Sequence, residues 1–281
     1  MYRIFAQYYS EALREYALLQ DQDISVHSVF QTGMNLLLGE RLLYVGSDAS
    51  AMRPFGIVVR ADEFTLLRAH CQQGATGCYN KGKNNIQWGS GIALDFSRAD
   101  LWTGSVVPRE KNWMLLLSEG VAEWRRFFQK KHLEYGLSQE FPTEDAMIQA
   151  LKRVVALHPT EVFEQLDFWI GRGPGLTPSG DDMLVGLLAA LQWGEETTFG
   201  EIVAAYMDQK GRRRTTAVSY EYLFYATKGV YSREICVLLD RLSRGEDWHG
   251  TLLALLALGH SSGADTALGL LAGLESLLPF Q

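Results

Sequence analysis

The C-terminal half of the chain contains one sequence twice. The first repeat, SGDDMLVGLLAAL at 179–191, returns as the second repeat, SGADTALGLLAGL at 262–274. Each copy begins with a Ser-Gly turn and continues as an apolar run, which predicts a tight turn that opens a buried helix. Two like helix starts in one domain can face each other across a pseudo-twofold axis. We therefore expect any chemistry of this protein to lie near these two openings.

The composition argues against several classes of protein. The chain is 47% hydrophobic and 21% charged, as in soluble globular proteins. Its net charge is -7 and its longest basic run is Arg212-Arg213-Arg214, so we expect no nucleic-acid binding. We expect no membrane segment, because no apolar stretch reaches roughly 20 residues. We also expect no signal peptide, because the N-terminus, with Arg3, Glu11 and Glu15, has no apolar h-region. Cys71 and Cys78 are spaced so that they can pair, but an odd total of 3 cysteines predicts reduced thiols and a cytoplasmic protein.

The pattern of the sequence changes near residue 120. Before it, short β-branched and aromatic runs alternate with turn residues, which predicts a small barrel or sandwich. After it, apolar residues recur with a helical period. We therefore predict an α+β protein with a β-rich domain at 1–120 and an all-α domain at 121–281. The predicted strands are 26–30, 41–45, 56–59, 86–88, 92–96 and 113–117, with 78–85 as a loop, and the predicted helices are 121–135, 143–157, 160–170, 181–193, 199–209, 215–228, 233–243, 248–258 and 265–278.

The most unusual segment, GRGPGLTPSGDD at 171–182, leads into the first repeat. Its glycines allow a ligand to approach backbone N–H groups, and a helix N-terminus attracts anions. Asp181 and Asp182 already occupy that positive end and would repel a phosphate docked directly, unless a metal or an arginine intervened. A structural interpretation is that Ser179 and Asp182 form a capping box, as Ser262 and Asp265 would in the second repeat. The predicted substrate-binding residues here are Arg172, Gly173, Gly175, Thr177, Ser179 and Gly180, and the predicted catalytic residues are Asp181 and Asp182.

A second candidate segment is RRRTTAVS at 212–219. Arginine forks match the geometry of carboxylate and phosphate groups, and three hydroxyl side chains cluster at a helix opening. The alternative interpretation is a solvated arginine run followed by a threonine N-cap. The predicted substrate-binding residues here are Arg214, Thr215, Thr216 and Ser219.

The third candidate segment, GHSSGAD at 259–265, leads into the second repeat. His260 is its only group that titrates near neutral pH, so it is a candidate general base or a donor to a bound anion. The alternative is a histidine that only makes structural hydrogen bonds. We predict His260 and Asp265 as catalytic, and Ser261, Ser262 and Gly263 as substrate-binding.

The inner glycines Gly186 and Gly269 indicate that the two repeat helices pack closely against each other. Asp182 and Asp265 would then be near each other only if the helices run in the same direction. In that arrangement the two carboxyl groups would bind a divalent cation such as Mg²⁺ or an ammonium group, or one of them would be protonated. The chain contains no HExxH, Walker or dinucleotide-binding motif.

Taken together, the three segments resemble a bacterial family associated with the third subunit of oxamate carbamoyltransferase, an enzyme of anaerobic allantoin breakdown. The patterns are G-x-GPGLTPS-x-DD at 171–182, TT-x-VS-x-x-YL at 215–223 and GH-x-SGADT-x-x-G at 259–269. The resemblance is specific in the C-terminal half and loose in the first 120 residues. It implies a β-rich part followed by a helical part, and phosphorolysis of oxalurate to oxamate and carbamoyl phosphate, or the reverse. It also implies two partner subunits, one resembling an acyl-CoA synthetase.

Three hypotheses for function follow from the sequence. The first is a carbamoyltransferase subunit that binds small anions at the two repeat openings, with backbone N–H groups, arginines and hydroxyls as donors. The second is a stand-alone metal-dependent hydrolase that uses Asp181, Asp182 and Asp265. The third is a non-catalytic scaffold subunit of a metabolic complex, in which the motifs serve only capping and packing.

Overall fold

The computed structural model describes residues 1–47, 52–89, 91–106, 113–131 and 133–278. Contacts divide the chain into two compact units, Met1–Gly104 and Ser105–Gln281. The first unit is rich in strands and the second is helical, which confirms the predicted α+β class. The predicted domain division at residue 120 stays a prediction. Among the described residues, no helix combines the length and the apolar character needed to cross a membrane.

The first unit is built on one mixed sheet of ten strands, in the order β1-β9-β8-β7-β3-β4-β5-β6-β2-β10. Only two residues separate β1 from β2, although they lie at the first and ninth positions of the sheet. In a flat sheet they would be about 40 Å apart, and so short a link spans only about 10 Å. The sheet therefore curls, and it forms a half-barrel. The strands are β1 Tyr2–Phe5, β2 Tyr8–Ser10, β3 Gln22–Val29, β4 Gly33–Leu38, β5 Arg41–Gly46, β6 Gly56–Val58, β7 Thr76–Asn80, β8 Asn85–Trp88, β9 Ile92–Asp95 and β10 Asp100–Trp102.

Two short helices and a tight turn complete the first unit. The helices are α1 Ala12–Tyr16 and α2 Ala61–His70. The predicted loop at 78–85 is half wrong, because 78–80 belong to β7 and 85 to β8, which pair and leave 81–84 as a turn. Asn84 has a positive φ of 49°, a conformation that asparagine tolerates better than most residues.

The second unit consists of helices. One of them overturns a predicted strand: 113–117 is the first part of α3, Trp113–Lys130. The buried side chains of α3, Leu117, Val121, Trp124 and Phe128, recur every three or four residues, so the helical period is visible only over a window longer than the apolar run. The other helices are α4 Glu144–Val155, α5 Pro159–Trp169, α6 Ser179–Trp193, α7 Thr198–Tyr206, α8 Arg212–Arg214, α9 Ala217–Thr227, α10 Arg233–Arg244, α11 His249–Leu256 and α12 Ser262–Leu277, and a π-helix at Met207–Gly211 joins α7 to α8.

The two repeats form α6 and α12, which pack side by side and run in the same direction. A Cβ on Gly186 would lie 2.1 Å from the carbonyl oxygen of Thr266, and a Cβ on Gly269 would lie 1.9 Å from that of Met183. Towards the C-terminal ends, Gly194 lies against Leu277. Gly186 and Gly269 are equivalent positions of the two repeats, and so are Met183 and Thr266. A pseudo-twofold axis parallel to the helices therefore relates the Gly186–Thr266 contact to the Gly269–Met183 contact. The inner glycines thus serve packing, as predicted.

Candidate functional site

The parallel pairing of α6 and α12 brings the two repeat openings to one end of the helical unit. The hydroxyl oxygens of Thr177, just before α6, and Ser262, the first residue of α12, are 2.7 Å apart. The two helix dipoles therefore point their positive ends at the same region. Because the two helices run in the same direction, Asp182 and Asp265 lie near each other, and the charge of Asp265 acts on Asp182.

The carboxyl groups of this pair are buried and incompletely hydrogen-bonded. Asp265 is 0% exposed, Asp182 is 8% exposed and Ser179 is 1% exposed. Within the described part of the chain, Asp182 Oδ2, Asp265 Oδ2 and Ser179 Oγ make no hydrogen bond of normal geometry. The backbone N–H of Gly136 donates to Asp265 Oδ1 at 3.4 Å. This cluster, which we call the paired-acid centre, thus has three buried polar atoms with unused hydrogen-bonding capacity.

Burial controls the protonation of these acids. It raises the pKa of Asp182 well above its usual value, and the neighbouring charge of Asp265 raises it further. The hydroxyls of Ser262 and Thr177 oppose this effect. Burial also raises the pKa of Asp265 to about 6, opposed by the hydroxyls of Ser179 and Ser261. The ionised form of each carboxyl group is therefore favoured by one hydroxyl from the loop before its own helix and by the first serine of the other repeat.

The capping-box interpretation of the repeats is wrong. The N-cap of α6 is Pro178, whose carbonyl accepts from the N–H groups of Asp181 and Asp182 at 2.9 and 3.1 Å. The N-cap of α12 is Ser261, which makes no side-chain cap hydrogen bond. Ser179 and Ser262 are therefore the first helical residues. Their shift by one position turns the hydroxyls towards the opposite repeat instead of towards their own helix backbone.

Asp181 holds the three segments of the site together. It is 0% exposed and accepts from the Gly171 N–H at 2.8 Å, from the Ser219 hydroxyl at 2.7 Å and from the Thr215 hydroxyl. Burial raises the pKa of Asp181 and these donors lower it. Two of the hydroxyls predicted to bind a substrate anion therefore bind a carboxyl group of the protein itself.

The remaining hydroxyl of the second segment fixes the loop before α6. Thr216 is the N-cap of α9 and accepts from the Ser219 N–H at 3.0 Å, which confirms the predicted threonine cap. Its hydroxyl also donates to the carbonyl of Leu176. Beside it, a Cβ on Gly171 would lie 1.8 Å from the Arg214 carbonyl oxygen, so only glycine fits there. The second segment thus fixes the position of the glycine-rich segment.

The two predicted arginines contact α5. Arg172 Nε donates to the Phe168 carbonyl at 2.7 Å, and its guanidinium lies 4.1 Å from the centre of the Phe168 ring. Arg214 donates to the backbone carbonyl of Asp167 and lies 3.7 Å from its carboxylate. Hydrogen bonds from Tyr206 and Lys210 lower the pKa of Asp167. Both arginines are partly exposed.

The glycine loop, 173–177, is the exposed face of the site. Gly173 and Gly175 have positive φ values of 112° and 91°, and 173–176 are exposed. In the part of the chain that the structure describes, the N–H groups of Gly175 and Leu176 donate to no protein acceptor, and the same holds for Ser261 and Ser262 across the Thr177–Ser262 contact. Donors with no protein partner therefore lie on both sides of the junction between the openings.

Two other predicted glycines serve packing. A Cβ on Gly180 would lie 2.0 Å from the Trp169 carbonyl oxygen, and one on Gly263 would lie 2.1 Å from that of Leu255. Their N–H groups donate to carbonyl oxygens of the preceding loops, at 2.9 and 3.0 Å. Each opening is thus pressed against the helix before it, α5 or α11.

His260 lies on the surface. Its side chain is 85% exposed, and its ring nitrogen lies 3.6 Å from the carboxylate of Glu134, which is 79% exposed. Among the described residues it makes no hydrogen bond to Ser262 or Asp265, so the geometry does not form a Ser-His-Asp triad. A catalytic role for His260 stays a prediction.

The metal hypothesis receives no support from the geometry. Among the described residues, no group of three or more histidine, cysteine, aspartate and glutamate side chains is arranged to hold a metal ion. Both oxygens of Asp181 already accept hydrogen bonds. Asp182 and Asp265 alone provide two carboxyl groups.

A segment at 135–136 that contacts the paired-acid centre was not among the predicted site residues. Tyr135 is 7% exposed and donates to Glu144 at 3.1 Å; burial raises its pKa, and the charges of Glu144 and Asp265 raise it further. A Cβ on the next residue, Gly136, would lie 1.8 Å from Ser179 Oγ. The predicted helix 121–135 included Tyr135, but the helix ends at Lys130, and a Tyr-Gly pair gives no signal that would have identified this role.

Comparison with known proteins identifies two matching family models. The model described as oxamate carbamoyltransferase subunit AllH matches residues 169–274, and the model described as AllH family N-terminal domain matches residues 6–101. Together they cover more than half of the 281 residues. The first match contains all three segments of the candidate site. No solved structure matches the chain.

Proposed function

The chain belongs to the AllH family of oxamate carbamoyltransferase subunits, and from this premise we propose that it binds the small anionic substrates of carbamoyl transfer. The reaction is phosphorolysis of oxalurate or its reverse. A phosphate oxygen attacks the carbamoyl carbon of oxalurate, the bond from that carbon to the oxamate nitrogen breaks, and the nitrogen takes a proton. The products are carbamoyl phosphate and oxamate.

The observation that carries this proposal is the junction of the two repeat openings at the Thr177–Ser262 contact of 2.7 Å. N–H groups at the N-termini of two parallel helices attract a negative charge that either helix alone would attract more weakly. Asp181 and Asp182 lie at the same openings, but they repel a bound anion less than two full negative charges would. Burial raises the pKa of Asp182 well above its usual value, so a neutral form of that group is favoured, and Asp181 is surrounded by its own donors.

The proposed partners and cellular setting follow from the family. The chain acts with partner subunits, one of them resembling an acyl-CoA synthetase, in the breakdown of allantoin. We propose a cytoplasmic location, which agrees with free thiols at Cys71, Cys78 and Cys236. A divalent cation such as Mg²⁺ would enter with the phosphate substrate.

Two glycines of matched geometry test the anion site. Gly175 has φ +91°, Gly74 in the first unit has φ +85°, and a Cβ added to either meets nothing within 4 Å. Alanine therefore introduces the same backbone strain of about 1 kcal/mol at both places, with no clash. We expect Gly175→Ala, in the complex assembled with its partner subunits, to weaken binding of carbamoyl phosphate at least tenfold in calorimetric titration. Gly74→Ala keeps the wild-type affinity. The absence of heat with carbamoyl phosphate, oxamate and phosphate alike contradicts the proposal.

A scaffold role is the second candidate, and one observation favours it. Thr215, Ser219 and Asp181 satisfy one another's hydrogen bonds, as groups that only stabilise a fold do. In a scaffold, the glycine loop contacts no substrate. Gly175→Ala would then leave the turnover of the assembled complex at the wild-type rate, whereas the anion site requires a loss.

A further inference from the structure

The paired-acid centre contains two carboxyl groups with no positive partner. Asp182 and Asp265 occupy equivalent positions of the two repeats, and the parallel helices place them at the same end. Among the described residues, no lysine, arginine or histidine forms an ion pair with either of them. Two adjacent carboxylates in this position would repel each other in a medium that screens charge poorly.

Within the described part of the chain, none of the other side chains that face the pair is positively charged. Asp181 is itself acidic. The side chain of Tyr135, in the segment between α3 and α4, donates to Glu144, and burial raises the pKa of both. The Gly136 N–H donates to Asp265, and the hydroxyls near the pair, Ser179 and Ser261 at Asp265 and Thr177 and Ser262 at Asp182, lower the two pKa values without carrying charge.

The burial of the oxygens and the number of carboxyl groups at the paired-acid centre indicate what relieves the repulsion. Asp182 Oδ2, Asp265 Oδ2 and Ser179 Oγ are inaccessible to solvent, so a substrate does not reach these atoms in this conformation. A metal ion would find two carboxyl groups rather than three, and the positive ends of two helices would oppose it. A proton needs no cavity and no third ligand, and it converts an acceptor into the donor that the unbonded oxygens lack.

We propose that Asp182 and Asp265 hold one proton between them at neutral pH, and that this proton allows the two repeats to pack with their openings together. The inference does not depend on the proposed function. It makes the pairing of α6 and α12 sensitive to pH, because loss of the proton places two charges at the helix contact. Asp182 is the preferred holder, because the charges of both Asp265 and Asp181 act on it, whereas Asp265 accepts a hydrogen bond from the Gly136 N–H.

The sign of the pH dependence follows from the raised pKa values. A carboxyl group whose pKa is higher in the folded than in the unfolded protein stabilises the fold below the unfolded pKa of about 4. That stabilisation is lost as pH rises through the folded pKa, which is about 6 for Asp265 and higher than normal for Asp182. The pair therefore favours the folded helical unit at pH 5 over pH 8.

Infrared spectroscopy of the full chain tests the proposal directly. We expect a carbonyl stretching band of a protonated carboxyl group at neutral pH in the wild type. Asp182→Asn removes this band, because Asp265 then ionises without a charged neighbour. The matched control, Asp167→Asn, alters an acid that contacts Lys210 and Tyr206, and it leaves the band unchanged. A wild-type spectrum without the band, or a band that survives Asp182→Asn, overturns the proposal.

Urea unfolding provides a second readout. The unfolding midpoint of Asp182→Asn should change less between pH 5 and pH 8 than that of the wild type, since an amide does not titrate. If this variant does not fold, the band is followed in the wild type alone: persistence at pH 7 and loss at higher pH support the shared proton, and absence at pH 7 contradicts it. A wild-type midpoint that falls when a chelator removes metal ions also contradicts it, because a cation would then hold the pair.

Discussion

Gly269 lies at a close contact between the backbones of α6 and α12, so Gly269→Ala tests the geometry of the repeat pair. The added Cβ would be 1.9 Å from the carbonyl oxygen of Met183, 2.7 Å from its carbonyl carbon and 2.9 Å from its Cα. These are backbone atoms and cannot rotate away. Ordinary contact requires at least 3.4 Å, so the helices must separate by about 1.5 Å.

Such overpacking costs about 1–3 kcal/mol, and here we expect the upper end because the separation extends along a fully buried contact. The higher helix propensity of alanine returns about 1 kcal/mol, which leaves a net loss of about 2 kcal/mol. The assay is urea unfolding followed by circular dichroism. Gly250→Ala in α11 is the control, since its Cβ meets nothing within 4 Å, and it should be neutral or stabilising. A Gly269→Ala midpoint equal to or above that of the wild type refutes the parallel packing.

Three further changes test other parts of the structure. Asp181→Asn should cost about 2 kcal/mol in urea unfolding, because Gly171, Thr215 and Ser219 lose a charged acceptor; an unchanged midpoint would show that these bonds do not hold the segments together. Glu275→Gln should cost about 1–3 kcal/mol in the same assay, because Arg125 and Lys152 lose a buried partner; equal stability at low salt argues against that network. In thiol titration of the native protein only Cys78 should react quickly, because burial raises the pKa of both Cys71 and Cys236 to about 12; three fast thiols contradict the fold.

The close packing of the two repeat helices was predictable from sequence, because small residues at helical spacing allow two helix backbones to approach each other. The relative direction of α6 and α12 was not predictable, since an antiparallel pair of helices would bury the same glycines. The strand predicted at 113–117 failed for a related reason: five apolar residues fit either period, and burial at Leu117, Val121 and Trp124 decides for the helix.

The sequence indicated which segments come together at the candidate site, but not which residues contact each other there. Thr215 and Ser219 are donors suited to an anion, but sequence does not tell a substrate anion from the carboxyl group of Asp181. Ser179 follows a proline that takes the N-cap position, and this shift by one residue replaces a local cap with a contact between the repeats. Gly136 enters the centre through the tertiary fold alone.

Hydrogen–deuterium exchange of the assembled complex, with and without carbamoyl phosphate, tests the central claim most directly. That claim is that the glycine loop and the opening of α12 together bind a small anion. We predict that the ligand protects peptides that contain 173–177 and 260–263, and that the turn at 81–84 in the first unit exchanges as before. Saturating ligand that protects neither segment, while binding is observed by calorimetry, would contradict the claim.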